Sequence, residues 1–311
     1  MTLLGLAAGT GSVACSEQVS LGAWASGGGA AGGGAGNSGA AGGGAASGGA
    51  AGAAAAPCVR EGTPGGRNAA GTGTNVEVTV TYTDWTWPSA SDSIEWDFKL
   101  EKAPVKDGYF WAHGFDLAGS VSGFVGLQYR GGYQADPPDG LVQTANMLVF
   151  WISGAPIRAE LGDVAYPNAR KYFKTDGEWW TIHVLYDWEV CRLYRLRMGR
   201  QGSEANGDIW YGAWVRDTVT NVETYLGRIL VPLAWGQLAA TSSMWSNRVI
   251  GQGATCADIE PVSAIFGFPT ANAGGVLPLS HVNSFARPAS CGSSRFTEFP
   301  DAVRQELGVA P

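Results

Sequence analysis

The chain has 311 residues, with 20 Lys and Arg against 27 Asp and Glu and a formal net charge of −7. That acidic balance lacks the basic footprint of a nucleic-acid-binding protein, so no nucleic-acid partner is expected. No uninterrupted apolar run approaches the roughly 18 to 20 residues of a spanning helix, so no membrane-spanning helix is predicted.

The chain begins with a short apolar run at residues 3–8, then small residues at 9–14, then Cys15. This order resembles a bacterial lipoprotein signal. Ser12 stands where such signals usually carry Leu, and the basic n-region is missing, which places the natural start a few residues upstream. The resemblance implies lipidation of Cys15, export, and a place in the cell envelope, either at the outer surface or in the periplasm. Residues 1–15 are then signal, residues 16–57 a linker and residues 58–311 one folded domain. Within the linker, residues 26–56 are only Gly, Ala, Ser and one Asn. Such a stretch cannot bury a core, and as a flexible coil it would span roughly 30 Å.

In the folded part, residues 75–83 alternate Val76, Val78, Val80 and Tyr82, expected inside, with Glu77, Thr79 and Thr81, expected outside. Residues 93–101 alternate likewise, with Ile94, Trp96, Phe98 and Leu100 inward and Glu95, Asp97, Lys99 and Glu101 outward. This period of two predicts half-buried antiparallel strands. Residues 108–117 and 121–130 read as two more. Residues 146–153 are apolar on both faces, which predicts a central strand. Between Trp179 and Val231 come a run with Val190, Tyr194, Leu196 and Met198 on one side, a reversal at 199–207, a second run at 208–215 and a third at 225–231. These are three consecutive strands in the middle of a sheet. The best helix signal is residues 300–307, with Pro300 at the start and Gly308 past the end. Many short strands without crossover helices indicate an all-β fold, an antiparallel two-sheet sandwich of jelly-roll, concanavalin-like character, with a closed barrel as the alternative.

With Cys15 set aside, Cys58, Cys191, Cys256 and Cys291 allow three pairings in an exported chain. Cys256 with Cys291 would staple the Gly- and Pro-rich C-terminal region, and Cys58 with Cys191 would pin the first residues of the domain to the sheet. No C-x-x-C or H-x-x-x-H spacing suggests zinc. Asp136-Pro-Pro-Asp139-Gly140 offers oxygen ligands for a structural Ca²⁺ but reads first as a proline-rich turn, so no cofactor is expected.

Gly123-Phe124-Val125-Gly126-Leu127-Gln128, Leu148-Val149-Phe150-Trp151 and Leu185-Tyr186-Asp187-Trp188 followed by Tyr194-Arg195-Leu196 resemble the G-Y-x-G-I-Q, F-S-x-W and P-Y-D-W series of an uncharacterised family of secreted bacterial β-sandwich domains, a domain of unknown function. Phe124 replaces Tyr, Leu127 replaces Ile and Leu185 stands at the Pro position. The resemblance covers about residues 76–251. It implies a β-sandwich, an extracellular setting and no catalytic residues to carry over.

Two features point to chemistry. Glu95, Asp97 and Glu101 are placed on one strand face, where i and i+2 carboxyl groups approach the ~5 to 5.5 Å that retaining glycosidases use. They are the candidate catalytic residues of a glycan hydrolase, although Lys99 between them would hold their pKa values down and a solvated outer face explains the pattern equally well. The 13 Trp include the pairs Trp85 with Trp87, Trp179 with Trp180 and Trp210 with Trp214, which lie near turns or share a strand face. They are the candidate platforms for the apolar side of a sugar, against the competing role of core packing. His113, His183 and His281 are far apart and read as structural. Neither a G-x-S-x-G elbow nor a phosphate loop is present. The expected function is binding of a polysaccharide or cell-envelope glycan through exposed aromatics. The alternatives are a hydrolase using the strand carboxylates and a structural envelope protein making protein contacts.

Overall fold

The computed structural model describes residues 58–67, 78–117, 121–134, 142–165, 168–174, 179–249, 256–285 and 294–309. Cys15, the signal and linker segments, residues 136–139 and Cys291 lie outside them. In chain order the strands begin with β1 (Thr63–Arg67), β2 (Val78–Thr86), β3 (Ser93–Lys102), β4 (Tyr109–Leu117), β5 (Val121–Gln134), β6 (Val142–Ser153), β7 (Arg158–Leu161), β8 (Ala169–Lys174) and β9 (Trp179–Leu185). They continue with β10 (Leu193–Ser203), β11 (Ile209–Asp217), β12 (Val222–Val231), β13 (Thr241–Val249), β14 (Val262–Gly267), β15 (Thr270–Ala271), β16 (Ser280–Phe285), β17 (Arg295–Phe299) and β18 (Ala302–Leu307). The helical segments among the described residues are two short 3₁₀ turns, Leu233–Trp235 and Cys256–Asp258.

The strands form two antiparallel sheets packed as a sandwich. One runs β1-β17-β18-β14-β3-β10-β11-β12-β7, with β15 beside β3, and the other runs β16-β2-β13-β4-β5-β6-β9-β8. Each sheet keeps two distinct edges, which excludes the closed barrel. The three strands predicted after Trp179 are β10, β11 and β12, consecutive neighbours in the ten-stranded sheet. Two details differ there. Val190 stands outside at 40% exposure, and β10 runs on to Ser203, so the reversal is shorter than predicted. β6 lies between β5 and β9, and its residues Met147 to Phe150 are all buried, as its two apolar faces require.

One core joins the inner faces. Ile94, Trp96, Phe98 and Leu100 of β3 meet Trp111 and Phe115 of β4, Val125 and Leu127 of β5, and Leu196 and Met198 of β10. The predicted parity of β2 is reversed. Thr81 and Thr83 face inward and are fully buried, while Tyr82 faces out. Because side chains alternate strictly, one inward residue sets all the others. Trp85 and Trp87 are the largest residues near this strand, and their burial carries the threonines in with them. The hydroxyls are satisfied across the sandwich by Gln305 of β18, whose amide oxygen accepts from Thr81 at 3.4 Å and whose Nε2 donates to Thr83 at 2.9 Å.

Residues 300–307 are not a helix. Pro300 and Asp301 turn the chain between β17 and β18, and β18 fills the place between β17 and β14. Pro at the start and Gly after the end mark a strand flanked by turns as well as they mark a helix, and pairing on both sides decides between them.

Cys58 and Cys191 form a disulfide across a sequence separation of 133. Cys256 is also disulfide-bonded; its predicted partner, Cys291, is among the residues outside the description.

Candidate functional site

The three candidate carboxylates differ in exposure and in their partners. Asp97 and Glu95 point outward from β3 and lie opposite Arg195 and Arg197 of β10. Arg195 donates to Asp97 through Nε at 2.8 Å and Nη2 at 3.1 Å, and this bond holds its guanidinium above the usual pKa. Both Asp97 oxygens are thereby engaged in a fork. Glu101 is buried. The β14–β3 register slips between Ser263 and Ala264, so Ser263 pairs with Lys102 and Ala264 with Leu100. Glu101 is the residue passed over; it stays on the face of Lys99, whose Nζ is 3.5 Å away, and is buried there beneath Arg304 and the Arg60 segment. It accepts from Arg304 Nε at 2.7 Å, from the Arg60 backbone N–H at 2.8 Å and from the Ser263 hydroxyl at 3.1 Å. The alternation of residues 93–101 gives no sign of this slip.

The six candidate tryptophans fall into three groups. Trp85 and Trp87 lie in the core at 2% exposure. Trp85 packs edge-on against Phe268, and the Trp87 indole N–H donates to Ser242 Oγ at 3.0 Å. Neither offers a face to a ligand, because their parity on β2 points them inward. Trp210 faces outward from β11 but is also buried, covered by the guanidiniums of Arg228 and Arg158 at 4.1 and 4.9 Å. Trp214, half-buried, stacks on Tyr225 at 5.1 Å and carries Arg197 at 4.2 Å. Trp180 packs against the core from β9, while Trp179 sits half-buried opposite Ser153 on the outer face.

The most continuous aromatic surface is one that pair-by-pair reading of tryptophans passes over. Across the outer face of the eight-stranded sheet, Tyr82 of β2, Trp245 of β13, Phe110 of β4, Phe124 of β5 and Trp151 of β6 are all half-buried. Tyr82 and Trp245 lie 6.5 Å apart, Trp245 and Phe124 5.8 Å, and Phe124 and Trp151 are stacked at 5.2 Å. Phe110 meets Phe124 edge-on at 5.2 Å. Trp245 and Phe124 stand two strands apart with β4 between them. They touch because Gly114, paired with both Ser243 and Phe124, leaves a gap into which the indole leans. A Cβ at Gly114 would lie 2.3 Å from Trp245 Cζ3. Polar groups border the belt. Asp84 accepts from Ser243 at 2.7 Å and from Ser284 at 3.4 Å, and Gln128 lies beside Phe110 in register. The sequence signal that could have found this surface is a glycine in mid-strand, Gly114, opposite the outward-facing Phe124.

Of the three histidines, His113 is held in the core. His113 is buried, with Nε2 at 2.9 Å from Ser242 Oγ and its ring edge-on to Trp96. Burial pushes its pKa down to about 3. Among the described residues no group of three or more His, Cys, Asp or Glu is placed to hold a metal ion.

No protein-family model matches the chain, and no curated protein matches it. Among solved structures, the chain is similar to the crystal structure of scytalido-glutamic peptidase with a transition state analog inhibitor, at TM-score 0.41 and 10% identity, over 75% of this chain and 99% of that one.

Proposed function

We propose that the protein is an exported, lipid-anchored component of the bacterial envelope whose sandwich binds a polysaccharide along the outer face of the eight-stranded sheet. The observation that carries this reading is the aromatic belt from Tyr82 to Trp151. Strands stand about 4.8 Å apart, close to the length of one pyranose unit, so rings on successive strands match successive sugars along a chain laid across the sheet. Half-buried rings leave apolar surface exposed, and the hydroxyls, amide and carboxylate beside them suit sugar hydroxyls. A signal resembling that of lipoproteins, a Gly/Ala/Ser linker and at least one disulfide are consistent with a tethered domain outside the reducing cytoplasm. The hydrolase reading draws less support, because Asp97 is held by Arg195 and Glu101 is buried beneath Arg304.

The test incubates the full chain with a panel of insoluble and soluble polysaccharides and measures both retention and release of reducing ends. Retention on at least one glycan without release is expected. The double variant Trp245→Ala/Trp151→Ala should lose about tenfold or more in affinity while keeping its fold. Retention untouched by that variant, or reducing ends released and abolished by Glu95→Gln, would overturn the reading.

A further inference from the structure

On the opposite side of the sandwich, Glu95, Arg195, Arg197, Arg216, Glu223 and Ala273 line a groove of about 260 Å³. Cross-strand neighbours of opposite charge normally pair. Glu95 and Arg197 are direct neighbours in register, yet Arg197 leans the other way, over Trp214, and donates Nη2 to Glu223 Oε1 at 3.2 Å. Arg216 donates Nη2 to the second oxygen of the same Glu223, also at 3.2 Å. One carboxylate therefore serves two guanidiniums, and among the described residues most of the donors on both forks remain unspent. Arg195 is neutralised by Asp97. Among the described residues Glu95 has no ion-pair partner, and its hydrogen-bond contact is the Thr270 hydroxyl at 3.4 Å. The groove is thus negative at its β3 side and positive at its β11 side. Its third wall is the turn carrying Asn272 and Ala273, both at positive φ, pinned by the Asp92 N–H donating to Asn272 Oδ1 at 2.9 Å.

We infer that this groove binds a zwitterion, a free α-amino acid or a short peptide with both ends free. The ligand ammonium meets Glu95, and its carboxylate meets Arg197 and Arg216. A simple anion would satisfy the forks but confront Glu95, and a simple cation would confront the guanidiniums. A neutral sugar would displace water from charges it cannot neutralise. A ligand with both charges satisfies each end, and the planar guanidinium suits a carboxylate. The Trp214 ring beneath Arg197 holds that fork in place before the ligand arrives.

The experiment titrates the full chain with glycine, glycylglycine and triglycine by calorimetry at low salt, then repeats the best of the three as its N-acetyl and its C-terminal amide forms. Saturable binding of at least one zwitterion is expected, with each blocked form about tenfold or more weaker. Glu95→Gln should weaken the zwitterion by a similar factor while leaving the anionic N-acetyl form no weaker, and Arg216→Gln should weaken the zwitterion while leaving the cationic amide no weaker. Failure of all three zwitterions to bind at millimolar concentration, equal binding of the blocked forms, or indifference to Glu95→Gln would each overturn the assignment.

Discussion

Glu101→Gln isolates what the buried carboxylate does, because it keeps the shape of the side chain and removes its charge. In the native protein the Glu101 side chain is 0% exposed and that of Arg304 8%. Arg304 donates to both oxygens, at 2.7 and 3.4 Å, and Lys99 Nζ stands 3.5 Å away. The same carboxylate holds the Arg60 backbone, two residues after Cys58. Gln retains an oxygen for the Arg60 N–H but turns an amide N–H₂ toward guanidinium or ammonium, and leaves Arg304 buried without a counter-ion. Lys99 has a second acceptor in the Cys58 carbonyl at 2.8 Å and is partly exposed, so most of the cost falls on Arg304. Breaking one side of a buried pair costs about 3 to 5 kcal/mol. In a domain of this size that is a Tm lowered by roughly 6 to 20 °C. The assay is thermal and urea unfolding followed by tryptophan fluorescence. The companion Glu101→Leu/Arg304→Met, which removes both charges, should recover to within about 1 to 2 kcal/mol of the native protein. A loss below about 1 kcal/mol for Glu101→Gln would refute the argument, as would a double variant no better than the single.

Three further outcomes can be checked. Cys58→Ala/Cys191→Ala opens a closure with a sequence separation of 133 and should cost about 5 kcal/mol on the chain-entropy account, read as a lower urea midpoint under non-reducing conditions. For His113 the folded pKa of about 3 lies below the unfolded 6.5, so between those values the unfolded chain binds the extra proton. Its contribution is complete above pH 6.5 and is lost by up to about 1.4 kcal/mol per pH unit as pH falls toward 3, and His113→Gln should show a correspondingly flatter stability profile below pH 6.5. Gly114→Ala places a methyl against the Trp245 ring. It should cost about 1 to 3 kcal/mol in urea unfolding and weaken glycan retention, by tilting the indole out of the belt.

Period-two alternation in β3 and β10 was enough to establish an all-β chain, because a sheet with one covered face imposes that period on its sequence. The order of β10, β11 and β12 was equally legible, since short polar connections leave antiparallel neighbours little other choice. Which face of β2 is covered was not legible. Thr81, Thr83 and Tyr82 have no local preference strong enough to settle it, and the partner that makes buried threonines acceptable, Gln305, lies more than 200 residues away. Trp85 and Trp87 lie in the core for the same reason, having followed the parity of their strand.

Composition, charge and alternation alone determined the sandwich class and the cysteines available for pairing, because these depend on residue type and on neighbours one or two positions apart. Tertiary structure decided that Glu101 is a buried anchor, that Glu95 is left without an ion-pair partner among the described residues, and that rings from five strands meet in one belt. Those outcomes depend on register between strands far apart in the chain. A slip of one residue there moves a side chain from water to core without altering any local pattern.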